Sequence, residues 1–332
     1  MAAENIMSVS YGIDVLPDHD PYIALAQKVM KVAGEVATPG TFLVDSIPSL
    51  KYVPAWFPGA GFKRRANEWR DLGRQVQKVP FAEVKNQIAA GTARYSFSAQ
   101  SIHNLEENDY YTEKHIQATA SVIFMAGSDS TLATVNTFIL AMLANPDAQK
   151  KAQEQIDSVT GQTRLPDFSD EEALPYVSAL VKEIVRWRPV VPIAVPHFLA
   201  VEDEYRGFRI PANSIIIGNV SAILHDEEPD SFRPERFLLD GKLNPEVRDP
   251  QATFGFGRRI CPGRHMATAS LWISVASILA GFDITKAVAE DGQIIEPTYE
   301  YLSDLISAPA PFKCSIRPRS RQIESLIEGT AN

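Results

Sequence analysis

From about residue 104 to 144 the sequence reads NLEENDYYTEKHIQATASVIFMAGSDSTLATVNTFILAMLAN, polar at its start and then apolar almost all round. A helix without a polar face must be covered on every side, so this segment is expected to run through the interior of a helical protein. Its middle breaks the pattern. In AGSDST, residues 126–131, Gly127, Ser128, Asp129 and Ser130 are poor helix formers. A weak, polar patch halfway along a buried helix is expected to open a groove, where a carboxylate and a hydroxyl can hand protons inward.

The flanking sequence continues in helices. Residues 18–37 carry an aspartate cap and Pro21 near the first helical position, and 63–91 read as a long amphipathic helix interrupted near Pro80. Asn145 and Pro146 open another helix, and Ser169 caps a further one that stops before Pro189. Between 197 and 220 short β-prone runs alternate with turn residues, the pattern of a small sheet. Residues 225–260 are irregular, 264–281 form a core helix, and the tail around 307–320 is a strand or hairpin. The fold class is mainly α with a minor β component. No repeat, low-complexity tract or linker divides it, so residues 1–332 are expected to form a single domain.

Bulk chemistry narrows the function. A net charge of -9 argues against a nucleic-acid binder, whose phosphate contacts need a basic face. Two cysteines, Cys261 and Cys314, supply neither a disulfide framework nor a four-thiolate zinc site, and suggest a reducing compartment. The run MATASLWISVASILAGF, 266–282, is too short and too rich in hydroxyls for a membrane span. The opening residues lack the basic-then-apolar pattern of a signal peptide.

Two constellations carry chemistry. Glu183 and Arg186, three residues apart, share a helix face, and FRPERF at 232–237 offers Arg236 as a second guanidinium. A glutamate shared by two arginines locks an irregular segment onto a helix through the fixed guanidinium forks. The second is FGFGRRICPG, 254–263. Its glycines permit a tight loop and leave room for a flat group, while Arg258, Arg259 and the helix start that follows favour a thiolate. Three roles stay open for Cys261: a haem ligand, a nucleophile with His265 as base, or a buried small hydrophobe.

Taken in order, the four motifs resemble the cytochrome P-450 superfamily of haem-thiolate monooxygenases, and the wording is similar to fungal members. FGFGRRICPG fits the signature F-x-x-G-x-R-x-C-x-G at Phe254, Gly257, Arg259, Cys261 and Gly263. EIVR, FRPERF and AGSDST match the E-x-x-R helix, the segment after it and the oxygen-activation motif. The resemblance implies a haem b cofactor with Cys261 as axial thiolate, Phe254 packed near the sulfur and Arg259 on a propionate. His197 is either on the other propionate or structural. Asp129 and Ser130 would be the catalytic acid–alcohol pair, and Glu183, Arg186 and Arg236 the fold lock. The implied partners are O2, a hydrophobic substrate and an NADPH-dependent reductase. Candidate substrate-facing residues are Ser121, Phe124, Met125, Val191 to Val195, Leu305 and Ile306.

Three departures from the family pattern stand out. Ser130 replaces the usual threonine, and the connection from His225 to Phe232 is short. The sequence also begins near the family's middle helices, so the domain reads as N-terminally truncated. A non-catalytic chain that keeps the C-terminal core, at most binding haem or partners, is the alternative reading. Full-length members sit on the cytoplasmic side of the endoplasmic reticulum membrane. This chain, with no anchor in it, is expected in the cytoplasm when expressed alone.

Overall fold

The computed structural model describes residues 2–37, 40–106, 111–225, 228–302 and 305–330. The chain divides into two compact units, Met1–Leu132 with Asp304–Ile306, and Ala133–Ser303 with Ser307–Asn332. Helices α1 (Ala2–Tyr11), α2 (Pro21–Ala37), α3 (Leu43–Ser46), α4 (Gly61–Ala90), α5 (Phe97–His103) and the first part of α6 (Glu113–Ala144) belong to the first unit. The second holds the rest of α6, then α7 (Pro146–Thr160), α8 (Pro175–Trp187), α9 (Val220–Leu224), α10 (Arg264–Gly281) and α11 (Arg321–Thr330). Its strands are β1 (His197–Phe198), β2 (Asp203–Tyr205), β3 (Phe208–Ile210), β4 (Ile215–Ile216), β5 (Leu238–Leu239), β6 (Lys242–Leu243), β7 (Phe282–Lys286) and β8 (Cys314–Pro318). They pair as four antiparallel ribbons, β1–β4, β2–β3, β5–β6 and β7–β8. The protein is mainly helical with small antiparallel elements, as the sequence predicts.

In the first unit Met7, Tyr11, Val76, Phe81, Val84, Ile116, Ala120 and Phe124 form the core. Asp20 caps α2 as expected, its Oδ1 accepting from the amides of Tyr22 at 2.8 Å and Ile23 at 3.0 Å. The expected break near Pro80 does not occur. Proline removes the bond to the carbonyl of residue 76, yet α4 runs through it because Val76, Pro80, Phe81 and Val84 bury one continuous face. Helix α1 gave no signal in the sequence reading, although Met7 and Tyr11 are completely enclosed.

The central helix departs from expectation twice. Residues 107–110 of the predicted span lie outside the described residues, and α6 starts at Glu113. Its C-terminal part, from Phe138 to Leu143, is buried all round, whereas Val122 and Leu132 are exposed. At AGSDST the helix is unbroken. Ser128 and Ser130 donate back to the carbonyls of Phe124 and Ala126, at 2.8 and 2.7 Å, and so satisfy themselves within the helix. Gly127 has a packing reason instead: a Cβ there would stand 2.6 Å from Ile6 Cδ1, so α1 crosses bare backbone. Gly127→Ala is expected to lose about 1 kcal/mol net, about 2 of overpacking less about 1 of helix propensity. In urea unfolding the double variant with Ile6→Ala, which removes both clashing atoms, Cδ1 and Cγ1, should be less destabilised than the sum of the two single variants.

In the second unit the core gathers Phe138–Leu143 of α6, Ala152 and Ile156 of α7, Leu180 and Ile184 of α8, and Trp272, Val275 and Leu279 of α10. Two caps differ from the sequence reading. Asn145 turns its amide back to the Ala141 carbonyl at 3.0 Å rather than capping α7. Asp167, not Ser169, caps the 3-10 turn Phe168–Ala173, and α8 begins only at Pro175. The tail does pair as a strand, but it continues into α11, whose Ile323 and Ile327 pack over Gly281. Arg319 ties that end down, meeting both carboxylate oxygens of Asp157 at 2.8 and 2.6 Å. Among the described residues no helix is long and apolar enough to cross a membrane.

Candidate functional site

The cysteine loop lies in the second unit. A 3-10 turn, Gln251–Phe254, leads to Gly255 at φ +83°, and a second, Gly257–Arg259, begins with Gly257 at φ +58°. Side chains rarely adopt such angles, which is why glycine stands at both. Nothing lies within 4 Å of where their Cβ atoms would be, so the loop is open on that side. The Cys261 amide donates to the Phe254 carbonyl at 2.8 Å, folding the loop on itself and leaving the thiol half-buried. Gly263 then starts α10. The Arg264 amide and guanidinium both turn to the Cys261 carbonyl, at 3.4 Å, rather than to its sulfur. Arg258 and Arg259 are exposed, with no carboxylate partner among the described residues. No group of three or more His, Cys, Asp or Glu side chains is gathered among them either.

The same unit holds a buried lock. Glu183 is 0 % exposed, and its carboxylate takes Arg186 Nε at 2.7 Å, Arg186 Nη2 at 2.9 Å, Arg236 Nε at 3.1 Å and the Arg233 amide at 2.7 Å. Arg186 spends its other donors on carbonyls of the irregular segment, Ser231 at 3.0 Å among them. This is no surface salt bridge. The short connection after His225 still delivers Arg236 to Glu183; Asp226, in that connection, lies outside the described residues. A second tether was not read from the sequence: Glu235 accepts from Lys151 at 2.5 Å and from the Tyr176 hydroxyl at 3.1 Å. Its position beside Arg236 in the same motif was the available signal.

Asp129 and Ser130 sit in the first unit, half-buried on α6. Burial among apolar neighbours pushes the Asp129 carboxyl above the usual carboxylate range. His197 lies on β1, exposed and paired through its backbone with Ile216. It is not built into a core. Of the candidate substrate-facing residues, Phe124 and Ser121 are enclosed in the first unit's core, with Phe124 edge-on to Tyr11 at 6.1 Å. They are packing residues, because α1 covers that face of α6. Met125 is half-buried against the same core. Ile193 and Val195 are exposed, Ala194 between them is buried at φ +54°, and Leu305 and Ile306 are half-buried.

These residues fit a haem on the cysteine side. The fit rests on a half-exposed thiol, open space over two positive-φ glycines, and two exposed guanidiniums that match a pair of carboxylates.

Comparison with known proteins agrees. The cytochrome P-450 family model matches residues 1–314. A cytochrome P-450 monooxygenase of Armillaria gallica is 44% identical over 97% of the chain, and cytochrome P-450 monooxygenase 98 of Postia placenta is 43% identical over all of it. Tryptamine 4-monooxygenase of Psilocybe cyanescens is 39% identical over 97%. The chain spans 64% to 65% of the length of these relatives. With its motifs, fold and relatives in agreement, the chain belongs to the cytochrome P-450 family.

Proposed function

We propose that this chain is the haem-thiolate portion, within one domain, of a monooxygenase that inserts one oxygen atom of O2 into a hydrophobic organic substrate. Its electrons would come from an NADPH-dependent reductase, on the cytoplasmic face of the endoplasmic reticulum. The observation that carries the reading is the Cys261 loop, a half-exposed thiol beside open glycine backbone and two exposed arginines without a carboxylate partner among the described residues. Cys261 Sγ would hold the iron of haem b, Arg259 and His197 would be counter-ions of its carboxylates, and Phe254 would be the aromatic neighbour of the sulfur. Bound there, the haem supplies oxygen activation.

The chain's own residues supply protons and order. A carboxyl whose affinity for its proton is raised, as at Asp129, is suited to take a proton from solvent and pass it on. Ser130 Oγ, now donating to the Ala126 carbonyl, is the hydroxyl assigned to the next step. Serine lacks the methyl that restricts threonine at this position. Ser130→Thr is therefore expected to lower the fraction of electrons lost as hydrogen peroxide, and unchanged peroxide release would count against the assignment.

A raised carboxyl also leaves a thermodynamic mark. The unfolded chain releases the Asp129 proton at lower pH than the folded one, so stability falls as pH rises through that window. Asp129→Asn is expected to be the more stable protein at neutral pH and to lose that slope in urea titrations, while monooxygenase turnover drops. The proposal as a whole is tested by adding haem to the purified chain and recording the reduced carbon monoxide spectrum. A thiolate-type Soret band supports it, and failure to take up haem overturns it for this chain.

A further inference from the structure

We propose that Phe256, seated on the bare backbone of Gly218, is a positioning residue that fixes the Cys261 loop against the rest of the second unit. A Cβ added to Gly218 would stand 2.7 Å from Phe256 Cε2, 3.4 Å from its Cδ2 and 3.6 Å from the Cβ of Ala194. The first distance is too short for carbon atoms in contact, so the ring fills the space that a methyl would take. The backbone makes no demand of its own here. The φ of Gly218 lies outside the left-handed region, where a side chain would be strained. Glycine stands at 218 for the ring and not for the turn.

The seat is firmly held. The Val220 amide donates to the Gly218 carbonyl at 2.9 Å, and the Ser221 amide to the Pro192 carbonyl at 2.9 Å. Asn219 caps α9, its side chain accepting from the Ala222 amide at 2.9 Å. Val220, Ala194 and Leu224 form a small buried core with Ala252, the residue through which the cysteine loop enters it. Ala194 is kept at φ +54°, an angle that a residue with a side chain holds only where its surroundings impose it. Beyond Ala252 the loop is less restrained. Gly255 and Gly257 have open space where side chains would be, and glycine backbone is the freest to move. Phe256 lies between them, inside the turn that the Cys261 amide closes on the Phe254 carbonyl. Its ring is 38% exposed, so what holds it is the seat and not a core around it. A ring pushed off Gly218 therefore releases the stretch of backbone that carries the thiol.

The contact is tested on the haem-free chain, and only the second readout rests on the reading of Cys261 as the iron ligand. The first readout is the rate at which iodoacetamide alkylates Cys261 without denaturant, on a Cys314→Ser background so that one thiol reports. Gly218→Ala is expected to raise that rate about fivefold, because the added methyl displaces the ring and local opening becomes easier. Phe256→Ala, which adds no atoms to a packed site, should raise it by a similar factor. The two together should do no more than either alone, since the methyl then has no ring to displace. Unchanged rates in both single variants overturn the inference, as does a double variant whose effects multiply. The second readout is the reduced carbon monoxide spectrum after haem is added. Gly218→Ala should lower the thiolate-type band by about half relative to total bound haem. A full band beside faster alkylation overturns the positioning role. Failure of the unchanged chain to take up haem overturns the proposed function instead, and the alkylation rates still decide the seat.

Discussion

Cys261→Ser is expected to abolish haem retention and the thiolate-type carbonyl spectrum, the largest functional effect we anticipate from one atom. A serine hydroxyl at neutral pH is neither charged nor soft enough to replace a thiolate on iron. The loop should survive the change, since it is fastened through backbone, the Cys261 amide to the Phe254 carbonyl, and not through the sulfur. Unfolding in urea should therefore match the unchanged protein when both are haem-free. Cys314→Ser is the paired control. Cys314 sits half-buried on β8 opposite Lys286, and burial pushes its thiol up, away from the thiolate form. That variant should keep the full spectrum; a loss as large as at Cys261 would overturn the ligand assignment.

Glu183→Gln is expected to carry the largest stability cost, about 3–5 kcal/mol, because it removes the carboxylate that Arg186 and Arg236 share. The amide keeps the shape but offers two hydrogens of its own to a site already lined with donors. Arg186, itself nearly enclosed, is then a cation without its counter-charge. The measurement is a double-mutant cycle in urea. Arg236→Gln should cost clearly less on the Glu183→Gln background than alone, because both act through one carboxylate. Strict additivity would mean that the three residues do not work as a unit.

How much of this could be read from the sequence depended on which kind of signal each element carries. Motifs whose meaning is local chemistry transferred well: the glycines of the cysteine loop, the Glu183–Arg186 spacing and the Asp20 cap all stand where the residues imply. Pro80 misled, because proline reports the loss of one hydrogen bond and says nothing of the buried face that outweighs it. Ser128 and Ser130 misled for a related reason: helix propensity counts their competition with the backbone, and here they resolve it by bonding to the preceding turn. Phe124 and Ser121 could not be told from pocket residues, since an apolar helix face looks the same whether it meets a ligand or, as here, α1. The Glu235 tether and the docking of α11 are contacts between segments far apart in sequence. No periodicity announces them.

The Glu183 lock also has a history in time. Its carboxylate is completed by the Arg233 amide and by Arg236, 50 and 53 residues further along the chain. At ribosomal speeds of about 5–20 residues per second, those partners emerge roughly 3 to 10 seconds after the glutamate. During that interval Glu183 has the guanidinium of Arg186 in its own helix but neither of its later partners, so the segment around Arg233 and Arg236 is fastened to α8 last. The lock therefore favours an order of assembly, the ion pair within α8 first and the irregular segment after it.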